Sequence, residues 1–269
     1  MTDLSLELCE LASRLAVAAG DLVFEGRKNG LTSISTKSSD TDVVTEFDRA
    51  SEVLIVDGLR AERPDDAVVG EEGTDDAGRS GIRWLIDPID GTTNYQYDLP
   101  GYAVSIAALT EDQSLAGAVY IPSSRELFTA VAGGGALLDG KPIHCSTTSS
   151  LQQALVATGF SYQIERRREQ AARMVEIIPR IRDIRRLGAA APDLCHLAAG
   201  RLDVYFEQWL GPWDWAAGEL IAREAGCRTG RFDGSPVGQG QVLAANPALF
   251  EQMVELLAGA EPSLTPGIM

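Results

Sequence analysis

No apolar run in this chain approaches the roughly 20 residues that a membrane span requires. Basic residues are scarce: 23 Lys and Arg stand against 39 Asp and Glu, a formal net charge of −16. A nucleic-acid-binding surface needs a basic patch, and this balance argues against one. Histidine is almost absent; His144 and His196 lie at no metal-ligand spacing and beside no candidate nucleophilic serine, so both read as structural. The four cysteines, Cys9, Cys145, Cys195 and Cys227, include no C-x-x-C pair. That removes zinc sites and a disulfide framework, and leaves small buried apolar residues of a reducing compartment. Asp3, Glu7 and Glu10 open the chain where a secretory leader would place basic residues. The expectation is a cytoplasmic protein with neither membrane nor nucleic acid as partner. Long Gly/Pro/Ser linkers and internal repeats are missing too. The chain is therefore expected to form one compact unit of two halves, residues 1–145 and 146–269, sharing an interface.

What is present suffices for a sizeable core: 269 residues, 45% of them hydrophobic. Leu4, Leu8, Leu11, Leu15 and Leu22 recur at helical spacing and predict a helix over 3–25. A strand end and a polar loop are expected over 32–43. A second helix should start at Thr45 and end before Pro64, with Leu54, Ile55 and Leu59 on its apolar face. Ala67–Gly70 and Arg83–Ile86 read as short buried strands that run into acidic residues. Runs at 102–109, 115–121 and 126–131, separated by turn residues, predict antiparallel sheet. Strands at 154–158, 181–186, 202–206 and 242–245 then alternate with helices at 166–178, 189–199, 214–225 and 247–258. The class is α+β.

The chemistry concentrates in Trp84-Leu85-Ile86-Asp87-Pro88-Ile89-Asp90-Gly91-Thr92-Thr93-Asn94. An apolar strand delivers Asp87, Pro88 is expected to redirect the chain sharply, and Asp90 follows three residues later. Two carboxylates so close repel each other unless a cation sits between them, and amides at a following helix start form a ready anion site. Alone, the segment could be an Asp-Pro/Asp-Gly turn with a capping threonine. Two more segments alter that balance. Gly70-Glu71-Glu72 puts acid at the end of another buried strand, and Trp213-Asp214-Trp215-Ala216-Ala217-Gly218 puts Asp214 at the start of an apolar helix, where it could also be an N-cap. Strand ends and helix starts that converge on one crevice are where α/β-type folds build sites.

These segments together resemble the inositol monophosphatase family of magnesium-dependent, lithium-sensitive sugar phosphatases. The likeness spans nearly the whole chain and includes Lys37-Ser38-Ser39, Asp42-Val43-Val44-Thr45-Glu46-Phe47-Asp48, Arg185-Arg186-Leu187-Gly188 and Asp203-Val204-Tyr205-Phe206-Glu207. The resemblance implies a layered αβαβα sandwich of the sugar-phosphatase type. It implies a first Mg²⁺ on Glu71, Asp87 and the Ile89 carbonyl, and a second on Asp87, Asp90 and Asp214. A weaker third ion would sit near Glu71 through water, which makes two to three ions per site. Thr92 would orient the attacking water, with Asp48 behind it to accept the hydroxyl proton. Substrate would meet Asp90, Gly91, Thr92, Gly188, Ala190, Glu207 and Asp214, with Glu207 on a polyol hydroxyl. Ala189 stands where many members carry Ser or Thr, and Gln208-Trp209-Leu210-Gly211-Pro212 is bulkier than the usual stretch. A homodimer follows on the same ground.

The expected substrate is a small phosphorylated polyol or sugar, first myo-inositol 1-phosphate. Histidinol phosphate, fructose 1,6-bisphosphate and an adenosine bisphosphate compete. A protein-binding factor in a transcription complex is the alternative of another class. Other motifs point elsewhere and are set aside. Cys195 and Arg201 share the C-x₅-R spacing of cysteine phosphatases, but a helix end intervenes in place of a glycine-rich loop. Asp40-Thr41-Asp42-Val43-Val44 imitates a haloacid-dehalogenase start without the buried strand before it. Arg166-Arg167-Arg168 reads as a solvated helix face, and Trp213 and Trp215 as packing around the helix start.

Overall fold

The structure is a computed structural model that describes residues 2–28, 30, 34–36, 43–111 and 113–260. Lys37-Ser38-Ser39 and Asp40-Thr41-Asp42 lie outside the described residues. The first half contains α1 (Asp3–Lys28), β1 (Ile34–Thr36), β2 (Val43–Thr45), α2 (Glu46–Glu62), β3 (Ala67–Gly70), β4 (Asp75–Asp76), β5 (Arg83–Asp90) and α3 (Thr92–Gln96). It continues through β6 (Ala103–Leu109), β7 (Ser114–Ile121), β8 (Glu126–Val131), β9 (Gly135–Leu138) and β10 (Lys141–Pro142). The second half runs β11 (Leu155–Thr158), α4 (Ile164–Ile177), β12 (Asp183–Arg185), α5 (Ala190–Ala198), β13 (Val204–Gln208) and α6 (Pro212–Glu224). It ends with β14 (Arg228–Gly230), β15 (Gln241–Ala245) and α7 (Pro247–Gly259). No helix among the described residues is long and apolar enough to cross a membrane.

The eight-stranded sheet has the order β10-β9-β8-β7-β6-β5-β3-β4, antiparallel except where β3 runs parallel to β5. The five-stranded sheet has the order β12-β11-β13-β15-β14, with β11 parallel to both β12 and β13. Strand alternation decides which layer each side chain enters. On β5, Trp84 and Ile86 pack against Leu8, Leu15, Ile55 and Leu59 of α1 and α2, while Leu85 faces the other way, toward α5 and α6. On β13, Tyr205 faces α5 and α6, while Val204 and Phe206 join Ile177, Leu249 and Met253 of α4 and α7. The order is α1/α2, large sheet, α5/α6, small sheet, α4/α7: the expected αβαβα sandwich. The middle core draws on both halves of the chain, with Val119 and Phe128 beside Leu220 and Val242.

Three readings of the sequence change. The strand expected to stop at Ile86 runs on to Asp90, and Pro88 does not turn the chain. The ladder to β6 instead shifts register between Asp87 and Asp90. Proline has no N–H to give a ladder and is tolerated at such a bulge. Short β14 carries no apolar alternation to announce it. Of the cysteines expected to be buried, Cys195 and Cys227 are, whereas Cys9 and Cys145 are partly exposed.

Small residues let α6 settle onto the sheet. A Cβ on Gly117 of β7 would lie 3.1 Å from Ala217 Cα and 3.2 Å from its carbonyl oxygen, and one on Gly218 would lie 2.8 Å from Leu194 Cβ of α5. The Ser105 hydroxyl of β6 donates to the Trp213 carbonyl at 3.3 Å, at the first turn of α6. Gly117→Val should therefore force the layers apart and lower the unfolding free energy by about 1–3 kcal/mol. Urea denaturation measures it, and wild-type stability would show that α6 has room to spare.

Candidate active site

One cavity opens where the C-terminal end of β5 meets the N-termini of α5 and α6. Glu71, Asp87, Ile89, Asp90, Gly91, Thr92, Gly188, Ala189, Ala190, Glu207 and Asp214 all line it. Every residue expected to hold metal, substrate or the attacking water is thus at this cavity except Asp48, which stands directly behind Thr92. The Thr92 hydroxyl lies 3.0 Å from Asp48 Oδ1 and 3.0 Å from the Ile89 carbonyl. It has one proton to give to these two acceptors.

Each of the three aspartates has one oxygen fixed by a backbone N–H. Ile89 N donates to Asp87 Oδ1 at 3.0 Å, Ala191 N to Asp90 Oδ2 at 2.6 Å and Gly211 N to Asp214 Oδ2 at 2.7 Å. The last two donors belong to helix starts, where the dipole favours a carboxylate. Asp214 is not itself the N-cap: α6 starts at Pro212 with Gly211 as N-cap, and Asp214, two residues into the helix, reaches back to the Gly211 N–H and lines the cavity as well. Gly91 adopts φ +96°, and a Cβ there would stand 3.0 Å from Ala189 Cβ, so the turn from Asp90 into α3 calls for glycine.

The electrostatics are only partly compensated. Burial raises the Asp87 carboxyl well above its ordinary range, and the charges of Glu71, Asp90 and Asp214 push it further. Burial likewise raises Asp90, to about 8, against the opposing pull of the Ala191 amide. The protein around Asp214 raises it too, with Asp90 and Glu71 adding to the effect. Among the described residues no three acidic, histidine or cysteine side chains already clasp one point at metal-binding distance. The carboxylates are gathered at the cavity and repel one another. An all-oxygen set of carboxylates and a carbonyl suits a hard divalent cation, which would relieve that repulsion.

Asp48 is 0% exposed; burial raises its carboxyl, opposed by the Thr45 and Thr92 hydrogen bonds. Its Oδ2 accepts from Thr45 N at 2.8 Å and Thr45 Oγ1 at 2.6 Å, a capping box at the start of α2. On the opposite wall, Tyr205 Oη donates to Glu207 Oε2 at 2.9 Å, and a Cβ on Gly159 would overlap the Glu207 carboxylate. Gly159, Thr158, Phe160 and Tyr162 line the cavity but were not singled out from the sequence. Tyr205, which orients Glu207, was not singled out either, and there the i, i+2 spacing of the two on one strand face was the available signal.

Of the motifs set aside, neither Cys195 and Arg201 nor Arg166-Arg167-Arg168 contributes a residue to the cavity lining. Arg201 pairs with Glu126 and contacts His196 Nδ1 at 3.2 Å, while Cys195 is fully buried in the middle core. His144 is exposed. Arg166 stacks its guanidinium over Trp209, 5.2 Å from the ring centre.

Comparison with known proteins gives a consistent picture. An inositol-1-monophosphatase of Mycobacterium bovis is 41% identical over 247 residues, 87% of this chain and 85% of that protein. A Nus factor SuhB of Pasteurella multocida is 38% identical over 96% of this chain and 97% of its own length. The structure of an inositol monophosphatase from Anabaena superposes with a TM-score of 0.86 at 32% identity, covering 98% of this chain and 99% of that one. The inositol monophosphatase family model matches residues 5–261, and the chain belongs to that family.

Proposed function

We propose that this chain hydrolyses a small phosphorylated polyol or sugar in a Mg²⁺-dependent reaction, with myo-inositol 1-phosphate as the first substrate. Family membership supports a phosphatase. The observation that carries the metal-dependent reading is the crowding of carboxylates at one cavity, each aspartate pinned by a backbone N–H and raised by burial and by its acidic neighbours. Glu71, Asp87 and the Ile89 carbonyl would hold one ion, and Asp87, Asp90 and Asp214 a second; a weaker third would sit near Glu71. Bound there, Mg²⁺ supplies the Lewis acidity and positive charge that phosphoryl transfer to water requires.

The protein's own groups set up the attack. When Thr92 gives its proton to Asp48, its oxygen lone pairs are free to orient a water, and the Ile89 carbonyl is relieved of that donor. Asp48, raised by burial, is readier to receive a proton relayed through the hydroxyl. With Oδ2 occupied by Thr45, only Oδ1 serves this role. First-turn amides of a helix have no acceptor within it, so those starting at Gly91 and Thr92 suit a phosphate group. Glu207, oriented by Tyr205, accepts from a hydroxyl of the alcohol, with Gly188 and Ala190 beside it.

A phosphate-release screen over inositol 1-phosphate, histidinol phosphate, fructose 1,6-bisphosphate and an adenosine bisphosphate tests the reading. Release should require Mg²⁺, fall in millimolar Li⁺ and vanish in Asp87→Asn. No release from any substrate would overturn it. The name of the Pasteurella relative favours a second reading, a binding role in a transcription complex. A cellular phenotype that survives Asp87→Asn would belong to that role.

Stability gives an independent readout. Free of metal, native Asp90 keeps its proton up to about pH 8, whereas the unfolded chain releases it near 3.8. Native protein then binds more protons than unfolded protein over that window, so stability falls as pH rises from about 4 to about 8. Mg²⁺ displaces those protons, and the rise in Tm it produces should be larger at pH 8 than at pH 5. Scanning calorimetry in EDTA and in Mg²⁺ measures it; an equal rise at both pH values would contradict the carboxylate assignment.

A further inference from the structure

Asp48 is not the only side chain that α2 sends toward the cavity walls. Ser51 and Glu52 follow it at i+3 and i+4, on the same helix face, and both are buried, at 0% and 5% exposure. The Ser51 hydroxyl donates to the Pro88 carbonyl at 3.0 Å, inside the bulge that separates Asp87 from Asp90. The Glu52 carboxylate reaches the turn after β3: Glu72 N donates to Oε2 at 2.8 Å, and Thr74 N and Thr74 Oγ1 donate to Oε1 at 3.0 and 2.6 Å. That turn carries Glu71. It is closed by Gly70 N on the Thr74 carbonyl at 2.8 Å and tied to β5 by Glu71 N on the Ile86 carbonyl at 3.2 Å. A Cβ on Gly70 would lie 2.5 Å from Glu52 Oε2, so the carboxylate occupies space that only glycine leaves open.

We propose that this face of α2 is the jig that spaces the metal-binding segments, with Glu52 the positioning residue for Glu71 and Ser51 for the Asp87–Asp90 bulge. Three contacts from one face of a rigid helix thereby fix two pieces of chain at three points: Asp48 holds Thr92 and Ser51 holds Pro88 on the β5–α3 segment, and Glu52 holds the Glu71 turn. Neither Ser51 nor Glu52 lines the cavity. Their effect passes through the groups they hold, as hydrogen-bond partners of metal ligands do elsewhere. The inference rests on the reading of Glu71 and Asp87 as Mg²⁺ ligands.

Asp66 provides a matched control. It is also a buried carboxylate, at the opposite end of β3, where it accepts from the Trp84 indole at 2.9 Å and from Arg63 Nε at 2.8 Å. Mg²⁺ binding would be measured by titration calorimetry, and the Mg²⁺-induced rise in Tm recorded, for wild type, Glu52→Ala, Glu52→Gln and Asp66→Asn. Glu52→Ala should weaken Mg²⁺ binding by about 10–100-fold. Glu52→Gln, which keeps an acceptor for Thr74 but loses the one for Glu72 N, should fall between it and wild type. Asp66→Asn should lower the metal-free Tm and leave Mg²⁺ affinity unchanged. If both Glu52 variants fail to fold, Thr74→Val, which removes only the hydroxyl donor, should still weaken Mg²⁺ binding. Wild-type affinity in a folded Glu52 variant, or in Thr74→Val where neither folds, would overturn the proposal. So would an equal loss in Asp66→Asn. A wild-type protein that binds no Mg²⁺ would instead sink the metal reading itself.

Discussion

Ionised together, Asp87, Asp90, Asp214 and Glu71 would repel one another across a cleft with little water to screen them, and that repulsion has to be resisted by something stiffer than side-chain rotamers. Backbone N–H groups do it at each aspartate, through Ile89, Ala191 and Gly211. A donor embedded in a strand bulge or a helix start cannot swing away, so the carboxylate it holds stays put whether or not its charge is balanced. Two of the three donors stand at helix starts, whose partial positive charge opposes the crowding directly. Removing the bulge at Pro88, or shifting the starts of α5 or α6, would release the carboxylates from register.

That demand explains the small residues of the middle layer. α5 and α6 bring the Ala191 and Gly211 amides to the ends of β5 only because they can lie close to the sheet and to each other. Gly117 under Ala217, and Gly218 against Leu194, are where that closeness is decided. Larger side chains would strengthen burial locally while moving Asp214 away from Asp90. Packing here serves the geometry of charge, and the many alanines in the core between the two sheets reflect it.

Much of this was readable from the residues. Strand and helix periodicity placed the main elements, because each strand buries one known face or both and each long helix has one apolar stripe. Asp87, Asp90 and Glu71 stood out because carboxylates follow apolar strands, and Asp214 because it opens an apolar helix, juxtapositions that packing alone does not favour. The path of Asp87-Pro88-Ile89-Asp90 was not readable: a bulge and a turn use the same residues, and only the β6 partner decides between them. Glu52 was hidden for a different reason. Within α2 it resembles any helical glutamate, and the three donors it serves lie about 20 residues away. Gly159 was silent because its role is a space left for Glu207.

The two walls of the cavity obey different rules. The wall built from β5, α3 and the Glu71 turn is held by backbone hydrogen bonds and by the face of α2, so its geometry is shared among many atoms and resists change at any one of them. The wall built from Gly159, Phe160, Arg186, Glu207 and Leu210 presents mainly side chains, from β13 and from the segments that follow β11, β12 and β13. Among the described residues, Arg186 is the only basic side chain on the lining, and its charge works to lower the Glu207 carboxyl that burial raises. A substitution on this second wall changes the shape and polarity of that side of the cavity without touching the bulge or the amides that hold the carboxylates. Under the proposed function, the second wall is therefore where recognition of the alcohol would be tuned, while the phosphate chemistry stays with the first.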